Sequence, residues 1–153
     1  MNVFPTKILL ASDGSEEAEL ALQTAVGLAK RTDSELHVVH VGRLARYAGA
    51  AALGGRGPLP SVQDALDNEI RRLLEAQVKK VEAAGGVVAH AHLRSSERPD
   101  AEIVSVAEEV DAGLITVGSR GLGGMNRALM GSISDSVVRH ASCPVLIVRE
   151  KKR

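Results

Sequence analysis

Leu114-Ile115-Thr116-Val117-Gly118-Ser119-Arg120-Gly121, followed nine residues later by Gly131-Ser132, is the stretch whose reading decides the fold. The apolar run Leu114 to Val117 predicts a buried strand, and Ile133-Ser134-Asp135-Ser136-Val137-Val138 reads as the opening of a helix. A strand, a glycine-rich loop and a helix N-terminus form a natural anion site. Glycines let backbone N–H groups approach a phosphate closely, and the unpaired amides of a first helical turn favour negative charge. The working expectation is therefore a nucleotide-binding domain.

Working outward, the chain alternates strand and helix. Lys7 to Ala11 predicts a first strand, and Ser12-Asp13-Gly14-Ser15 a turn with helix-capping chemistry. Asp13 is a candidate cap, because Glu16 stands three residues on, and equally a candidate ligand contact. From Glu16, Ala18, Ala21, Leu22, Ala25, Leu28 and Ala29 recur at helical spacing. Leu36 to Val41 predicts the second strand. Gly42 to Pro60, with five glycines and two prolines, predicts a mobile surface loop. Ser61 is placed to cap a long helix striped by Leu66, Ile70, Leu73, Leu74, Val78 and Val81, with Gly85-Gly86 ending it. Val87 to Leu93 predicts the third strand, Pro99 opens the next helix, a short helix covers Ser132 to His140, and Val145 to Val148 is the fifth strand.

This alternation implies right-handed βαβ units and a parallel sheet covered on both faces. Ligands of such sheets bind beyond the carboxyl ends of the strands, where strand order reverses. The first and fourth strands are the expected neighbours there, so the Asp13 turn and the Gly118–Gly131 loop would face one crevice.

Composition narrows the function. The 153 residues suit one domain, with a core over 6–148 and a solvated basic tail over 149–153. Lys plus Arg and Asp plus Glu stand at 19 each, so bulk charge favours neither nucleic acid nor an anionic membrane. No apolar run approaches the roughly 18 residues of a membrane span, and Met1 to Lys7 lacks the pattern of a signal peptide. A single cysteine forms no internal disulfide, which agrees with a cytoplasmic location. With no Trp, one Phe and one Tyr, any base-binding pocket must be aliphatic.

Taken together, these motifs resemble the universal stress protein family from about Thr6 to Val148. Its ATP-binding members carry G-x2-G-x9-G-[ST] after the fourth strand, matched here by Gly118, Gly121, Gly131 and Ser132. They also place an aspartate after the first strand (Asp13) and a hydrophobic residue at the end of the second (Val41). The resemblance implies a three-layer α/β/α sandwich, Rossmann-like, with a five-stranded parallel sheet of order 3-2-1-4-5. It implies ATP with Mg²⁺ or Mn²⁺ as cofactor. Ala11, Val41 and Val117 would line the adenine pocket, beside Ser12. Asp13 would face the ribose or a phosphate-bound metal. Gly118, Ser119, Arg120, Gly121, Leu122, Gly123 and Gly124 would wrap the ribose and phosphates. Gly131, Ser132, Ile133 and Ser134 would hold the outer phosphates with amides and hydroxyls. A homodimer through antiparallel pairing of the fifth strands, Val145 to Val148, is implied too. Two departures stand out: Ser96-Glu97-Arg98-Pro99 where many relatives have a glycine before the proline, and Ala11 where some have a larger residue.

The loop is no Walker A motif, since Gly-Lys-[ST] occurs nowhere and no lysine lies between Gly118 and Cys143. Arg120, Arg127 and Arg139 are the cations nearby, of which Arg120 or Arg127 is placed to reach a phosphate, and Asp13 is the carboxylate expected at the crevice. That equipment suits binding with little or no hydrolysis. Two alternatives stand beside this nucleotide-dependent regulator: a slow ATPase or self-phosphorylating protein with Ser132 or Ser134 as acceptor, and a nucleotide-free dimeric interaction protein. His90 and His92, two apart on a strand, share a face with no third metal ligand evident; His37, His40, His140 and Cys143 read as structural.

Overall fold

Ile8, Leu9 and Leu10 are wholly buried at the centre of the chain's sheet, and the rest of the architecture is arranged around them. The computed structural model describes residues 2–42, 60–120 and 130–151, without the side chains of 60–63. The elements run β1 (Lys7–Ala11), α1 (Glu16–Thr32), β2 (Glu35–Gly42), α2 (Pro60–Ala83), β3 (Val88–Ser95), α3 (Pro99–Glu109), β4 (Leu114–Gly118), α4 (Ser132–His140) and β5 (Val145–Val148). All strand pairs are parallel, in the order β3-β2-β1-β4-β5.

Strand alternation sends successive side chains to opposite faces, and helices cover each face. Ile8, Leu10, Leu36, Val38 and Leu114 pack with Ala21, Leu22, Ala25 and Val26 of α1 and Leu74 and Val81 of α2. Leu9, Val39, Ile115 and Val117 pack with Ile103, Val106 and Ala107 of α3 and Val137 of α4. The result is the three-layer sandwich expected from the sequence.

Several boundaries differ from expectation. Ser15, not Asp13, caps α1: its side chain accepts from the Ala18 amide at 3.2 Å. Asp13 Oδ1 instead accepts from the Ser15 amide at 2.9 Å, closing the turn one step earlier. Ser61 lies inside α2, which begins at Pro60, because proline's fixed φ and missing N–H suit a first helical position. Gly42 belongs to β2, so of the predicted loop residues 43–59 lie outside the described residues. β3 begins at Val88, leaving Val87 exposed before it, and runs to Ser95 because Gly42 continues the pairing with β2. An irregularity in that ladder steps the register from Leu36↔Val88 to His37↔His90, so Ala89 is an extra residue.

Candidate functional site

The turn after β1 and the end of β4 meet because the two strands are neighbours, with Leu10 opposite Thr116. Each part is held from several sides. Ser12 is buried; its amide donates to Val39 O (3.1 Å) and its hydroxyl to Gln77 Oε1 (2.8 Å). Its carbonyl accepts from His40 Nδ1 at 2.9 Å, which places a proton on that nitrogen. β2 and α2 thus hold the turn that carries Asp13. Gly14 gives that turn its φ of 80°, a conformation costly for other residues.

The β4 end is fixed with similar thoroughness. The Ser119 amide donates to Val148 O (2.9 Å) and its carbonyl accepts from the Gly131 amide (2.7 Å). The buried Ser134 hydroxyl donates to Gly118 O at 2.7 Å. Gly118 is required by proximity: a Cβ there would lie 2.9 Å from the carbonyl carbon of Glu17. The start of α1 therefore rests on the strand that enters the glycine loop.

Glu17, unremarked in the sequence, is the carboxylate at this junction. It is 7% exposed and accepts from the Ser119 hydroxyl and from Arg120 Nε (2.9 Å) and Nη2 (2.5 Å). Burial pushes its pKa up, but the hydrogen bonds from Arg120 and Ser119 outweigh burial and hold it below the ordinary value. The same pairing raises the Arg120 pKa. Its signal was available: Glu17 stands four residues before Ala21 and eight before Ala25, in line with the buried stripe of α1.

The other sequence-predicted residues fall as follows. Val117 is buried, and Ala11 and Val41 pack against the same apolar cluster, so the three aliphatic residues are brought together. Gly131 is the N-cap of α4 and makes no side-chain cap hydrogen bond; Ser132 is exposed and Ile133 half-buried. Gly121, Leu122, Gly123, Gly124 and Arg127 lie outside the described residues. Among the described residues no three His, Cys, Asp or Glu side chains form a group that could hold a metal ion. None of the helices described is long and apolar enough to cross a membrane. Burial raises the Cys143 thiol pKa, which disfavours the reactive thiolate.

A parallel sheet covered on both faces, with Gly118 and Gly131 beside its switch point between β1 and β4, defines a Rossmann-like α/β protein. The universal stress protein family model matches residues 5–149. The chain is 38% identical over 147 residues to the universal stress protein YxiE of Bacillus subtilis, covering 94% of this chain and 98% of that one. Among solved structures, the hypothetical protein MJ0577 superposes with a TM-score of 0.76 at 26% identity, covering 96% of this chain and 97% of the other. The universal stress protein of Archaeoglobus fulgidus in complex with dAMP gives a TM-score of 0.62 at 25% identity, covering 96% and 99%. This chain belongs to the universal stress protein family.

Proposed function

We propose that the chain binds ATP, with Mg²⁺ or Mn²⁺ on its phosphates, in the crevice above β1 and β4, and acts as a nucleotide-dependent stress-response regulator with little or no hydrolysis. The observation that carries this reading is the convergence of the Asp13 turn, Gly118 and the N-terminus of α4: β1 and β4 are neighbours, and the Ser119–Gly131 and Ser134–Gly118 hydrogen bonds join the end of β4 to α4. The dAMP complex of the Archaeoglobus relative supports an adenine nucleotide.

In this reading Ala11, Val41 and Val117 offer the aliphatic wall that adenine requires, next to Ser12. Asp13 faces the ribose or the phosphate-bound metal, whose hard character suits carboxylate and phosphate oxygens. Gly118 to Gly124 wrap the ribose and phosphates. The first-turn amides from Gly131 through Ser132, Ile133 and Ser134 receive the outer phosphates. An N-cap with no side chain of its own leaves that end of α4 open to an external anion.

Hydrolysis is disfavoured because the Arg120 guanidinium is already held by Glu17. Arg120 is then not free to stabilise charge at the γ-phosphate, which falls to the metal, the amides and Arg127. The Ser134 hydroxyl is engaged by Gly118 O, which weighs against Ser134 as a phosphoryl acceptor. The protein acts in the cytoplasm as one domain, dimerised through β5.

Isothermal titration of Mg²⁺-ATP into the wild type and into Gly131→Val tests the assignment. Wild-type binding that the variant loses is expected, because valine at the N-cap obstructs close approach to the amides. No binding to the wild type at millimolar ATP would make the glycines architectural and favour the nucleotide-free interaction protein.

A further inference from the structure

The register step at Ala89 places His90 and His92 of β3 on the same face as His37 of β2, at the edge of the sheet away from the nucleotide crevice. His37 is 3% exposed, His92 half-buried and His90 exposed. His37 Nδ1 and His92 Nε2 lie 3.1 Å apart, and His37 Nε2 lies 3.3 Å from Glu35 Oε2. The rings of His37 and His92 are 8° from parallel with centroids 5.4 Å apart. That separation exceeds the nitrogen–nitrogen distance by about two ring radii. The rings therefore lie end to end in one plane, and the contact is an in-line hydrogen bond, not a stack.

The chain of contacts assigns the protons. A carboxylate only accepts, so His37 Nε2 carries a hydrogen toward Glu35. His37 Nδ1 is then the acceptor, and His92 Nε2 donates to it. A further proton enters at His92 Nδ1 and leaves every contact intact. One more must go to His37 Nδ1, and two N–H groups then point at each other across 3.1 Å. The bond between the strands must open.

We infer that Glu35, His37 and His92 form a proton-responsive clasp, which fastens the edge strand β3 to β2 near neutral pH and releases it when both imidazoles are protonated. Among the described residues β3 pairs with β2 alone, so this clasp is a cross-link between side chains beside the backbone ladder of an edge. The groups facing the clasp are Glu35 on β2, His90 and Arg94 on β3, and Glu109 on α3. Arg94 is itself paired with Glu109 at 2.5 Å and with Glu102 at 3.8 Å.

The electrostatics agree with the geometry. Desolvation, followed by the charges of His37, Arg94 and His90, lowers the His92 pKa from 6.5, against a smaller opposing effect of Glu109. A base whose folded pKa lies below its unfolded value stabilises the fold above the unfolded pKa. That contribution is lost as pH falls from about 6.5 toward and through the folded value.

Hydrogen exchange of the β3 amides at about pH 7 and about pH 5, corrected for intrinsic rates and referred to the β1 amides, tests the clasp. The wild type is expected to lose about tenfold in relative β3 protection at the lower pH. His92→Gln, which keeps a donor for His37 Nδ1 and does not titrate, is expected to show little change between the two. The variant leaves His40, the other buried histidine, as an internal background. Histidine NMR on the wild type gives a second test that needs no variant: at neutral pH His37 should carry its hydrogen on Nε2 and none on Nδ1. Equal β3 protection in the wild type at both pH values would overturn the inference. So would an undiminished loss in His92→Gln, or a hydrogen on His37 Nδ1 at neutral pH.

Discussion

At Glu17 a single carboxylate collects three donors from Ser119 and Arg120, and so joins the start of α1 to the strand end that enters the glycine loop. Glu17→Ala would leave Ser119 and a guanidinium only 23% exposed without their acceptor, at an expected cost of about 2–3 kcal/mol measured by denaturant unfolding. The pH dependence has a definite sign. The folded pKa lies below the ordinary 4.5, so this stabilisation is complete above the unfolded value and is lost as pH falls through the folded one. Glu17→Gln should therefore flatten the acid limb of the stability curve, and an unchanged slope would remove the assignment. The sequence shows Glu17 in line with the buried stripe of α1, but its partners stand more than a hundred positions away and only the fold brings them to it.

Between elements, two glycines touching α1 make a contrast that can be measured. A Cβ on Gly118 would meet the backbone of Glu17 at 2.9 Å and 3.0 Å, where nothing yields easily. Gly118→Ala is expected to cost about 1–3 kcal/mol through overpacking and to weaken the proposed nucleotide binding together with stability. A Cβ on Gly27, inside α1, would meet only the tip of Arg31 at 3.3 Å. Gly27→Ala should be neutral or stabilise by up to about 1 kcal/mol, since alanine is the better helix former. Equal losses in both variants would show that the contact between Gly118 and α1 is not what requires the glycine. Elsewhere α3 and α4 are joined by the Ser136 hydroxyl, which donates to Asp100 at 2.7 Å. Arg98, then the Ser136 bond, hold the Asp100 carboxyl well below the usual carboxylate range, against the effect of burial.

For the whole molecule, the sheet has two edges of different character. β3 carries the histidine clasp, while β5 is a short apolar strand, half-buried along its length, that among the described residues pairs with β4 alone. An unprotected apolar edge invites a second strand, and the proposed dimer would close it. Light scattering is expected to give twice the chain mass at micromolar concentration; a monomer there would remove β5 as the dimer interface.

The sequence by itself determined the order of elements, the parallel sheet and the position of the glycine loop. Those features depend on local periodicity and on Gly and Pro punctuation, which neighbouring residues report directly. Even the grouping of Ala11, Val41 and Val117 follows from strand ends once the strand order is known. Only the tertiary structure decided that Ser15 caps α1, that Glu17 holds Ser119 and Arg120, and that His40 and Gln77 hold Ser12. It alone joined His37 to His92, because one extra residue at Ala89 changes which side chains face one another across the ladder. Register and long-range pairing depend on how strands and helices meet in space, and the spacing of residues along the chain carries no record of that.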